Sequence, residues 1–379
     1  MCREMELPGY PLYRSLKVLE REERRLDEGE RLEAVRGPLL SWFQANGRDL
    51  PWRQNPSPYQ VWISEIMLQQ TRVEAVKPYY KRFLEELPDV KALAQVEEEK
   101  LLKLWEGLGY YSRAKNLKAA AMVMMEEYGG QMPASYEALL KLPGIGSYTA
   151  GAISSIAFGI PVPAVDGNVL RVTARLQGSY EDISRPQTKK RLEALLKEHM
   201  EKREPGTFNQ ALIEVGALVC IPNGSPKCGE CPLESVCLAK RNGLWEELPV
   251  KPSKKPRKIV ELTVLVIRDG EKVALRKRPD TGLLASLYEF PNQEGRLALD
   301  TRAQAAAAAG VAESAVEAVT PLGEAKHIFS HVEWHMTGYE ISMKGQIPGC
   351  FISADVRELE GRYPLPNAFM AYKKAFLKA

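Results

Sequence analysis

Four of the six cysteines fall within one short segment, with the spacing C-x7-C-x2-C-x5-C: Cys220, Cys228, Cys231 and Cys237. The other two, Cys2 and Cys350, stand alone. One tight group with two isolated cysteines is typical of a metal centre rather than of disulfide bonds. Four thiolates suit either one [4Fe–4S] cluster or a tetrahedral zinc ion, although zinc ribbons usually carry two C-x2-C pairs and this segment has one. The pattern predicts a metal site and leaves both metals open.

A glutamate lies in an apolar segment that has helical spacing. In YQVWISEIMLQQT (59–71), Glu65 would share one helix face with Val61, Trp62 and Leu68. Burial among such neighbours disfavours the charged carboxylate and raises its pKa, as a general acid working near neutral pH requires. The spacing alone leaves an ordinary solvated glutamate equally open.

A second carboxylate follows a glycine-containing turn. LPGIG (142–146) separates two helical stretches, and Gly144 and Gly146 would permit a tight turn whose following helix offers free N–H groups to a phosphate. Asp166 comes twenty positions after Gly146, in VDGNV (165–169). By itself, Asp-Gly-Asn before an apolar helix indicates a turn or a helix N-cap.

The elements around these residues fall into four predicted parts. Residues 1–30 form a leader of unknown role, 31–240 a helical domain with the cysteine loop at 220–237, 241–258 a basic proline-rich linker, and 259–379 an α/β domain. Within the last part we predict two strands around Arg268–Gly270, an alanine-rich helix over 301–309, a strand over 328–341 and a helix over 369–378. The fold class is therefore multidomain, all-α followed by α/β.

Composition sets the broad class. A chain of 379 residues with 45% hydrophobic and 27% charged residues is typical of a globular protein with two or three domains. Its 52 basic and 49 acidic residues give a net charge of +3, which neither requires nor excludes nucleic acid. With no apolar run of 18 residues and no secretory signal, we expect no membrane partner and a cytoplasmic location.

Four motifs in order resemble the MutY-type adenine DNA glycosylases of the helix-hairpin-helix (endonuclease III) superfamily: SEIMLQQTRVE (64–74), WEGLGYYSRAKNL (105–117), the LPGIG hairpin and AVDGNV (164–169). The resemblance runs from about residue 38 to the C-terminus. It implies a monofunctional enzyme that removes adenine opposite 8-oxoguanine or guanine in base excision repair. It also implies that the cysteines hold a structural [4Fe–4S] cluster, although the superfamily has C-x6-C where this chain has C-x7-C.

The resemblance also assigns the catalytic roles. Glu65 would protonate adenine at N7, and the Asp166 carboxylate would stabilise the oxocarbenium ion of the sugar or trap it covalently, as in retaining glycosidases. Tyr148 and Asn168 would position Asp166 and the reacting groups. Strand-cleaving members carry a lysine where this chain has Tyr148, and a phenol forms no Schiff base.

Residues that contact DNA are implied in the same way. Gln70 and Tyr110 would fill the gap left by a flipped base, although without the family Tyr110 is more typical of a core and Gln70 of a surface. The remaining DNA- and adenine-facing residues implied by the family, besides the hairpin glycines, are Arg48, Trp52, Arg53, Leu68 and Gln210.

The C-terminal part resembles the Nudix-like domain of the same family. Gln304, Ala307 and Ala308 occupy the positions of the Nudix metal carboxylates, which argues against pyrophosphate hydrolysis. Phe329, Ser330 and His331 match the family's Phe-Ser-His and would recognise 8-oxoguanine. The spacing of His327, His331 and His335 would suit a metal on a helix, but the local pattern indicates strand and argues against it. 

Three other functions compete with this interpretation. A bifunctional glycosylase and lyase like endonuclease III is disfavoured by Tyr148, and a non-catalytic DNA-binding iron–sulfur protein by the presence of both carboxylates. A nucleotide-pool hydrolase lacks its metal ligands. We expect a monomer whose partner is double-stranded DNA containing an 8-oxoguanine:adenine mispair, associated with the bacterial nucleoid when it acts.

Overall fold

The computed structural model describes residues 26–252 and 256–378. The α-helices within these ranges are α1 (Glu28–Ala34), α2 (Arg36–Asn46), α3 (Pro58–Leu68), α4 (Val73–Glu86), α5 (Val90–Gln95), α6 (Glu98–Leu104), α7 (Ser112–Glu127), α8 (Tyr136–Leu139), α9 (Ser147–Phe158), α10 (Gly167–Gln177), α11 (Pro186–His199), α12 (Pro205–Leu218), α13 (Leu238–Asn242), α14 (Arg302–Ala309), α15 (Val356–Gly361) and α16 (Met370–Lys378). The predicted change from helix to mixed α/β structure along the chain is confirmed. In neither described range is a helix both long enough and apolar enough to cross a lipid bilayer.

Seven strands form one mixed sheet in the C-terminal part that the structure describes. They are β1 (Lys258–Asp269), β2 (Lys272–Lys277), β3 (Tyr288–Glu289), β4 (Asn292–Glu294), β5 (Val316–Ile328), β6 (Val332–Met343) and β7 (Ile352–Asp355). The main order is β3-β2-β1-β6-β5, with β4 paired to β1 and β7 to β2. β1 and β6 are parallel along their length, while β5 and β6 form a long antiparallel pair.

The described residues pack as two compact units. The first contains the residues up to Gly47 together with Val165–Val250, and the second contains Arg48–Ala164 together with the residues from Lys251 onward. The predicted division of the chain into four parts stays a prediction. Most of the predicted leader, residues 1–25, lies outside the described residues, as do linker residues 253–255. The leader's last residues belong to α1, whose start is fixed by a capping box between Asp27 and Glu30.

Each unit has its own apolar core. In the first, α10 packs against α11, α12 and α13, while α2 packs against α12, and fully buried side chains include Leu39 and Phe208. In the helical part of the second unit, α3, α5, α7 and α9 surround Trp62, Trp105 and Phe83, all at most 1% exposed. Such burial of large side chains is the main stabilising term of each core.

Both faces of the C-terminal sheet are covered. Leu262 and Val264 on β1 pack on one face with Tyr372 of α16, while Leu265 packs on the other face with Ala305 of α14. Because successive side chains of a strand point to opposite faces, a strand buried on both sides is apolar at nearly every position. This arrangement explains the uninterrupted apolar run at 264–267, in the second half of β1.

The strand predicted over 328–341 is wrong in its extent. The structure has two strands there, β5 and β6, and Phe329–His331 forms the turn between them. The preceding sequence, VEAVTPLGEAKHI, gave no strand signal because β5 is largely exposed and its pairing is irregular near Pro321 and Gly323. The predicted sensing residues therefore lie at a turn rather than within a strand.

Candidate active site

Glu65 lies in the middle of α3, a helix whose start is well defined. Ser57 accepts a hydrogen bond from the backbone of Gln60, the Gln60 side chain accepts one from the Ser57 backbone, and Pro58 occupies the first turn. Nearly every residue of α3 is buried, and Glu65 itself is only 8% exposed. A carboxyl group in this position has lost most of its hydration and must be satisfied by protein groups.

Tyr148 supplies one of those groups. It is the second residue of α9, and its hydroxyl donates a hydrogen bond of 2.6 Å to Glu65 Oε2. The structure thus brings together two predicted catalytic residues that are 83 positions apart in the sequence. The family implied a role for Tyr148 beside Asp166, but Asp166 belongs to the other unit, so that role stays a prediction.

Asp166 is the N-cap of α10. Its Oδ1 accepts hydrogen bonds of 2.8 Å from the backbone N–H groups of Asn168 and Val169, and its Oδ2 accepts one of 2.8 Å from Asn168 Nδ2. Burial raises the pKa of the Asp166 carboxyl above its ordinary value, while these donors and the charge of Arg171 oppose the rise. All the oxygen contacts are donors, the arrangement that suits an ionised carboxylate at a helix N-terminus.

Asn168 is held on its other side by α12. A Cβ atom on Gly216 would come within 2.6 Å of Asn168 Cβ, so the close approach of the two helices requires glycine there. Arg171 donates to Asn168 Oδ1 at 2.9 Å and to the Gly216 carbonyl at 2.7 Å. These contacts orient the Asn168 amide so that its nitrogen faces Asp166.

The predicted hairpin forms a tight turn before α9. Gly144 has a φ of +74°, and a Cβ atom there would lie 2.6 Å from Asn116 Cβ, so both the backbone and the neighbour require glycine. Gly146 is the N-cap of α9, and no side chain caps this helix start. The start of a helix without a side-chain cap offers its N–H groups and positive dipole end to an anion such as a phosphate.

Gln70 and Tyr110, the two predicted wedge residues, share an unusual backbone. Both have positive φ values, 56° and 48°, which side chains other than glycine rarely adopt. Both are exposed, Tyr110 by 45%. Strained backbone of this kind persists only where the surrounding structure holds it and is common at functional sites.

Arg113 bonds to the backbone around both Gln70 and Tyr110. The sequence analysis assigned it no role. Its guanidinium is buried, lies over the rings of Trp105 and Tyr110, and has a pKa lowered to about 10 by burial. It donates to seven carbonyl or hydroxyl oxygens, those of Ile66, Met67, Gln69, Thr71, Leu108, Gly109 and Tyr110. The only sequence signal was its place within WEGLGYYSRAKNL (105–117), because spacing cannot show a buried arginine bonded to carbonyls.

The predicted adenine-pocket residues are divided between the units. Arg53 donates to the Arg48 carbonyl at 3.0 Å within one short loop. Trp52, between them, is 5% exposed and packs edge-on against Tyr80 with ring centroids 5.4 Å apart. Two others lie elsewhere: Leu68 ends α3 at the margin of the apolar core, and Gln210 lies on α12 of the first unit.

The Phe329–His331 turn contacts the helical part of its own unit. The hydroxyls of Ser330 and Tyr110, 220 positions apart, share a hydrogen bond of 2.8 Å. The Phe329 ring packs edge-on against Trp334, and its N–H donates to the Val332 carbonyl at 2.8 Å. The structure thus places a predicted wedge residue and a predicted sensing residue side by side, a contact that the sequence did not reveal.

The four cysteines line one small cavity in the first unit, together with Arg175. None forms a disulfide bond. Arg175 Nη1 lies 3.3 Å from Cys220 Sγ, and burial raises the pKa of the Cys231 thiol to about 12. Buried thiols become ligands only when a cation compensates their charge, so this donor set fits a bound metal group. Among the described residues no three His, Cys, Asp or Glu side chains are arranged to hold a single metal ion.

Comparison with known proteins gives the class. A family model described as HhH-GPD superfamily base excision DNA repair protein matches residues 63–198, and a NUDIX domain model matches residues 263–375. The solved structure of a thermostable thymine-DNA glycosylase is similar, with 28% identity and a TM-score of 0.51, covering 56% of this chain and 97% of that one. The fold and the site define a helix-hairpin-helix DNA glycosylase with an added Nudix-like domain.

Curated relatives narrow the class to a family. The human adenine DNA glycosylase is 35% identical and aligns with 90% of this chain and 73% of its own length. The adenine DNA glycosylase of Buchnera aphidicola subsp. Acyrthosiphon pisum is 38% identical, over 67% of this chain and 72% of its own length. The chain belongs to the adenine DNA glycosylase family, as the four sequence motifs predicted.

The environment of Asp166 predicts how its replacement affects stability. Because burial raises the folded-state pKa above the unfolded value of about 3.9, the ionised group costs folding free energy at neutral pH and costs nothing below the unfolded pKa. Asparagine caps helices as well as aspartate does. We therefore expect Asp166→Asn to melt at or above the wild-type temperature at pH 7, with the difference narrowing as the pH falls.

Asp166→Ala serves as the control, because it removes the helix cap and should lower the free energy of unfolding by about 1 kcal/mol. Thermal unfolding followed by circular dichroism measures both variants. An Asp166→Asn protein that melts clearly below the wild type at pH 7 contradicts this description of the carboxylate.

Proposed function

We propose that this chain removes adenine paired with 8-oxoguanine or guanine in duplex DNA and leaves an abasic site, the first step of base excision repair. The observation that carries the proposal is the buried Glu65 carboxyl under the Tyr148 hydroxyl, on the helix after the adenine-pocket loop. Membership of the adenine DNA glycosylase family supports the choice of base.

Glu65 acts as the general acid. Adenine leaves poorly as an anion, and protonation at N7 lets it leave nearly neutral. A carboxyl group with little water around it is suited to keep and then donate a proton. The Tyr148 hydroxyl donates to Oε2 and fixes the orientation of the carboxyl group. The DNA base reaches this group only when it is flipped out of the duplex.

Asp166 acts on the sugar. Loss of the base leaves an oxocarbenium-like sugar, and a carboxylate stabilises that positive charge or forms a covalent bond with the sugar carbon before water replaces it. The donors from α10 and Asn168 hold both Asp166 oxygens in fixed directions. A rigid carboxylate needs no reorganisation as the charge develops.

The lyase alternative is disfavoured by the residue beside Glu65. A Schiff base with the sugar requires an amine, and Tyr148 offers a phenol that is already hydrogen-bonded to the acid. A non-catalytic DNA-binding role is disfavoured by the burial of Glu65, because a buried carboxyl group costs stability and a structural role would not require it.

Two features suit the binding of duplex DNA without recognition of a base sequence. The uncapped start of α9 after the hairpin suits a backbone phosphate, and the exposed Gln70 and Tyr110 suit the gap left by the flipped base. The position of Ser330 beside Tyr110 supports a role in recognising the base opposite adenine. A hydroxyl can exchange hydrogen bonds with the edge atoms in which 8-oxoguanine differs from guanine.

The cysteine cavity is proposed to hold a [4Fe–4S] cluster. Cys220, Cys228, Cys231 and Cys237 would ligate it, and Arg175 would offset the negative charge of the thiolates. When bound, the cluster supplies structural cross-linking of the 220–237 loop rather than chemistry at the base. This assignment is supported by family membership and by the number and burial of the thiols.

The first test is a cleavage assay. Wild-type protein incubated with an 8-oxoguanine:adenine duplex should yield strand breaks only after alkali, because the product is an abasic site. Glu65→Gln keeps the size but removes the proton, and it should lower the single-turnover rate constant about 10²–10⁴-fold. The exposed Glu74→Gln, which only breaks a surface ion pair with Lys77, is the control and should match the wild type. Breaks before alkali would favour the lyase, and unchanged activity of Glu65→Gln would refute the general-acid role.

The second test concerns the opposite base. Ser330→Ala removes one hydroxyl, and we expect it to lower the ratio of the rate constants for adenine opposite 8-oxoguanine and opposite guanine by roughly tenfold, the value of one good hydrogen bond. Single-turnover kinetics on the two matched duplexes give this ratio. A ratio equal to that of the wild type rules out sensing by Ser330.

The third test concerns the metal. Purified protein should contain about four iron atoms per chain with sulfide and show visible charge-transfer absorption, and Cys231→Ser should lose both. Cys350→Ser, which changes an exposed cysteine outside the cavity, should keep them. Elemental analysis that finds about one zinc ion per chain and no iron contradicts the cluster.

A further inference from the structure

The turn that carries Tyr110 is held at both ends by the C-terminal sheet domain of the same unit. At its start, Glu106 Oε1 accepts the backbone N–H of Leu365 at 3.0 Å, and the Gly107 carbonyl accepts Asn367 Nδ2 at 3.0 Å. At its end, Tyr110 shares the hydrogen bond with Ser330. Five consecutive residues of the helical part are therefore bracketed by segments more than 200 positions away.

Two lysines surround Glu106. Lys103 Nζ lies 2.6 Å from Glu106 Oε2 and also donates to the Leu359 carbonyl at 3.1 Å. Lys373 Nζ, on α16, lies 3.9 Å from Glu106 Oε1 and donates to the same carbonyl at 3.5 Å. The three charged side chains are only 14%, 14% and 9% exposed for Glu106, Lys103 and Lys373. We call these three residues the Glu106 cluster.

Burial distinguishes this cluster from the surface ion pairs of the described residues. Lys100 and Glu86, for example, are 55% and 45% exposed. Solvent screens such exposed pairs, so they contribute little to holding the segments that they join. Lys103 and Lys373 instead lie near Glu106 and both donate to the Leu359 carbonyl in α15, and Lys103 also donates to the Tyr363 carbonyl at 3.3 Å. Removing the Glu106 charge would leave two largely buried ammonium groups without the carboxylate that lies within 4 Å of both, so the cluster favours one arrangement of the α6 end against α15 and α16.

From this geometry we propose that Lys103, Glu106 and Lys373 are positioning residues that set partner-base specificity. They anchor the C-terminal sheet domain on the end of α6, so that Ser330 meets Tyr110 before DNA arrives. This proposal rests on the proposed sensing of 8-oxoguanine by Ser330. None of the three contacts the reacting atoms, and their effect passes through the Tyr110–Ser330 pair. Preorganisation of this kind improves recognition by removing an ordering cost at binding.

The test compares rate constants in the full-length protein. We measure the ratio for adenine opposite 8-oxoguanine and opposite guanine in Glu106→Ala, Lys103→Met and Ser330→Ala. Glu106→Ala should lower this ratio by about the same roughly tenfold factor as Ser330→Ala. The double variant Glu106→Ala/Ser330→Ala should lower it no further, because both changes act on one contact. Lys100→Met, an exposed lysine one turn away on α6, is the matched control and should keep the wild-type ratio.

The outcomes separate the two proposals. If Ser330→Ala lowers the ratio while Glu106→Ala and Lys103→Met leave it unchanged, the positioning role is overturned and the sensing role stands. If Ser330→Ala leaves the ratio unchanged, the sensing role fails and the positioning role fails with it. A purely stabilising cluster would lower the melting temperature and both rate constants together, without changing their ratio.

A second measurement covers the case in which Glu106→Ala does not fold. Glu106→Gln keeps an acceptor for the Leu365 N–H and loses only the charge. Hydrogen–deuterium exchange of this variant should be faster than wild type in peptides that contain residues 107–110 and 329–331, and unchanged in α9. Exchange that is unchanged in both peptides overturns the proposal.

Discussion

The structure depends first on the placement of one carboxyl group, Glu65, inside an apolar helix. A carboxyl group removed from water is costly unless protein groups bond to it, and the Tyr148 hydroxyl bonds to Oε2 at 2.6 Å. That bond requires α9 to start at Gly146, which in turn requires the tight hairpin with the left-handed Gly144. The same hairpin leaves a helix start suited to phosphate. One turn therefore places Tyr148 at Glu65 and also leaves this uncapped helix start.

The two carboxylates differ in the groups that face them. Glu65 lies within a helix among apolar side chains, whereas Asp166 is the N-cap of a helix and accepts hydrogen bonds from N–H donors. Burial raises the pKa of Asp166, and the donors at the helix start and the charge of Arg171 oppose this rise. This difference suits a reaction that needs a proton donor for the base and a negative charge for the sugar. The two groups belong to separate compact units.

The sequence predicted the helical part and the α/β part correctly, because each has a local pattern. The metal-type cysteine group and the candidate catalytic residues rest on spacing and family motifs, and they stay predictions. The sequence could not predict the contacts that join distant segments. The Tyr110–Ser330 hydrogen bond spans 220 positions, and Arg113 holds two turns through carbonyl oxygens, which no residue pattern encodes. β5 was missed because a largely exposed strand with Pro321 and Gly323 has no alternating apolar pattern. Periodicity in the sequence indicates which side chains are buried. The Tyr110–Ser330 bond, the Arg113 contacts and the pairing of β5 depend instead on packing between distant segments.

The proposed mechanism requires that N7 receives a proton from Glu65 before the base leaves. It is tested most directly with a duplex that carries 7-deazaadenine opposite 8-oxoguanine, in which a C–H replaces N7 and cannot be protonated by the acid. We predict that wild-type protein binds this duplex and removes the base about 10²–10⁴-fold more slowly than adenine in single-turnover assays, and that Glu65→Gln adds little further loss. Removal of 7-deazaadenine at a rate close to that of adenine would contradict the account.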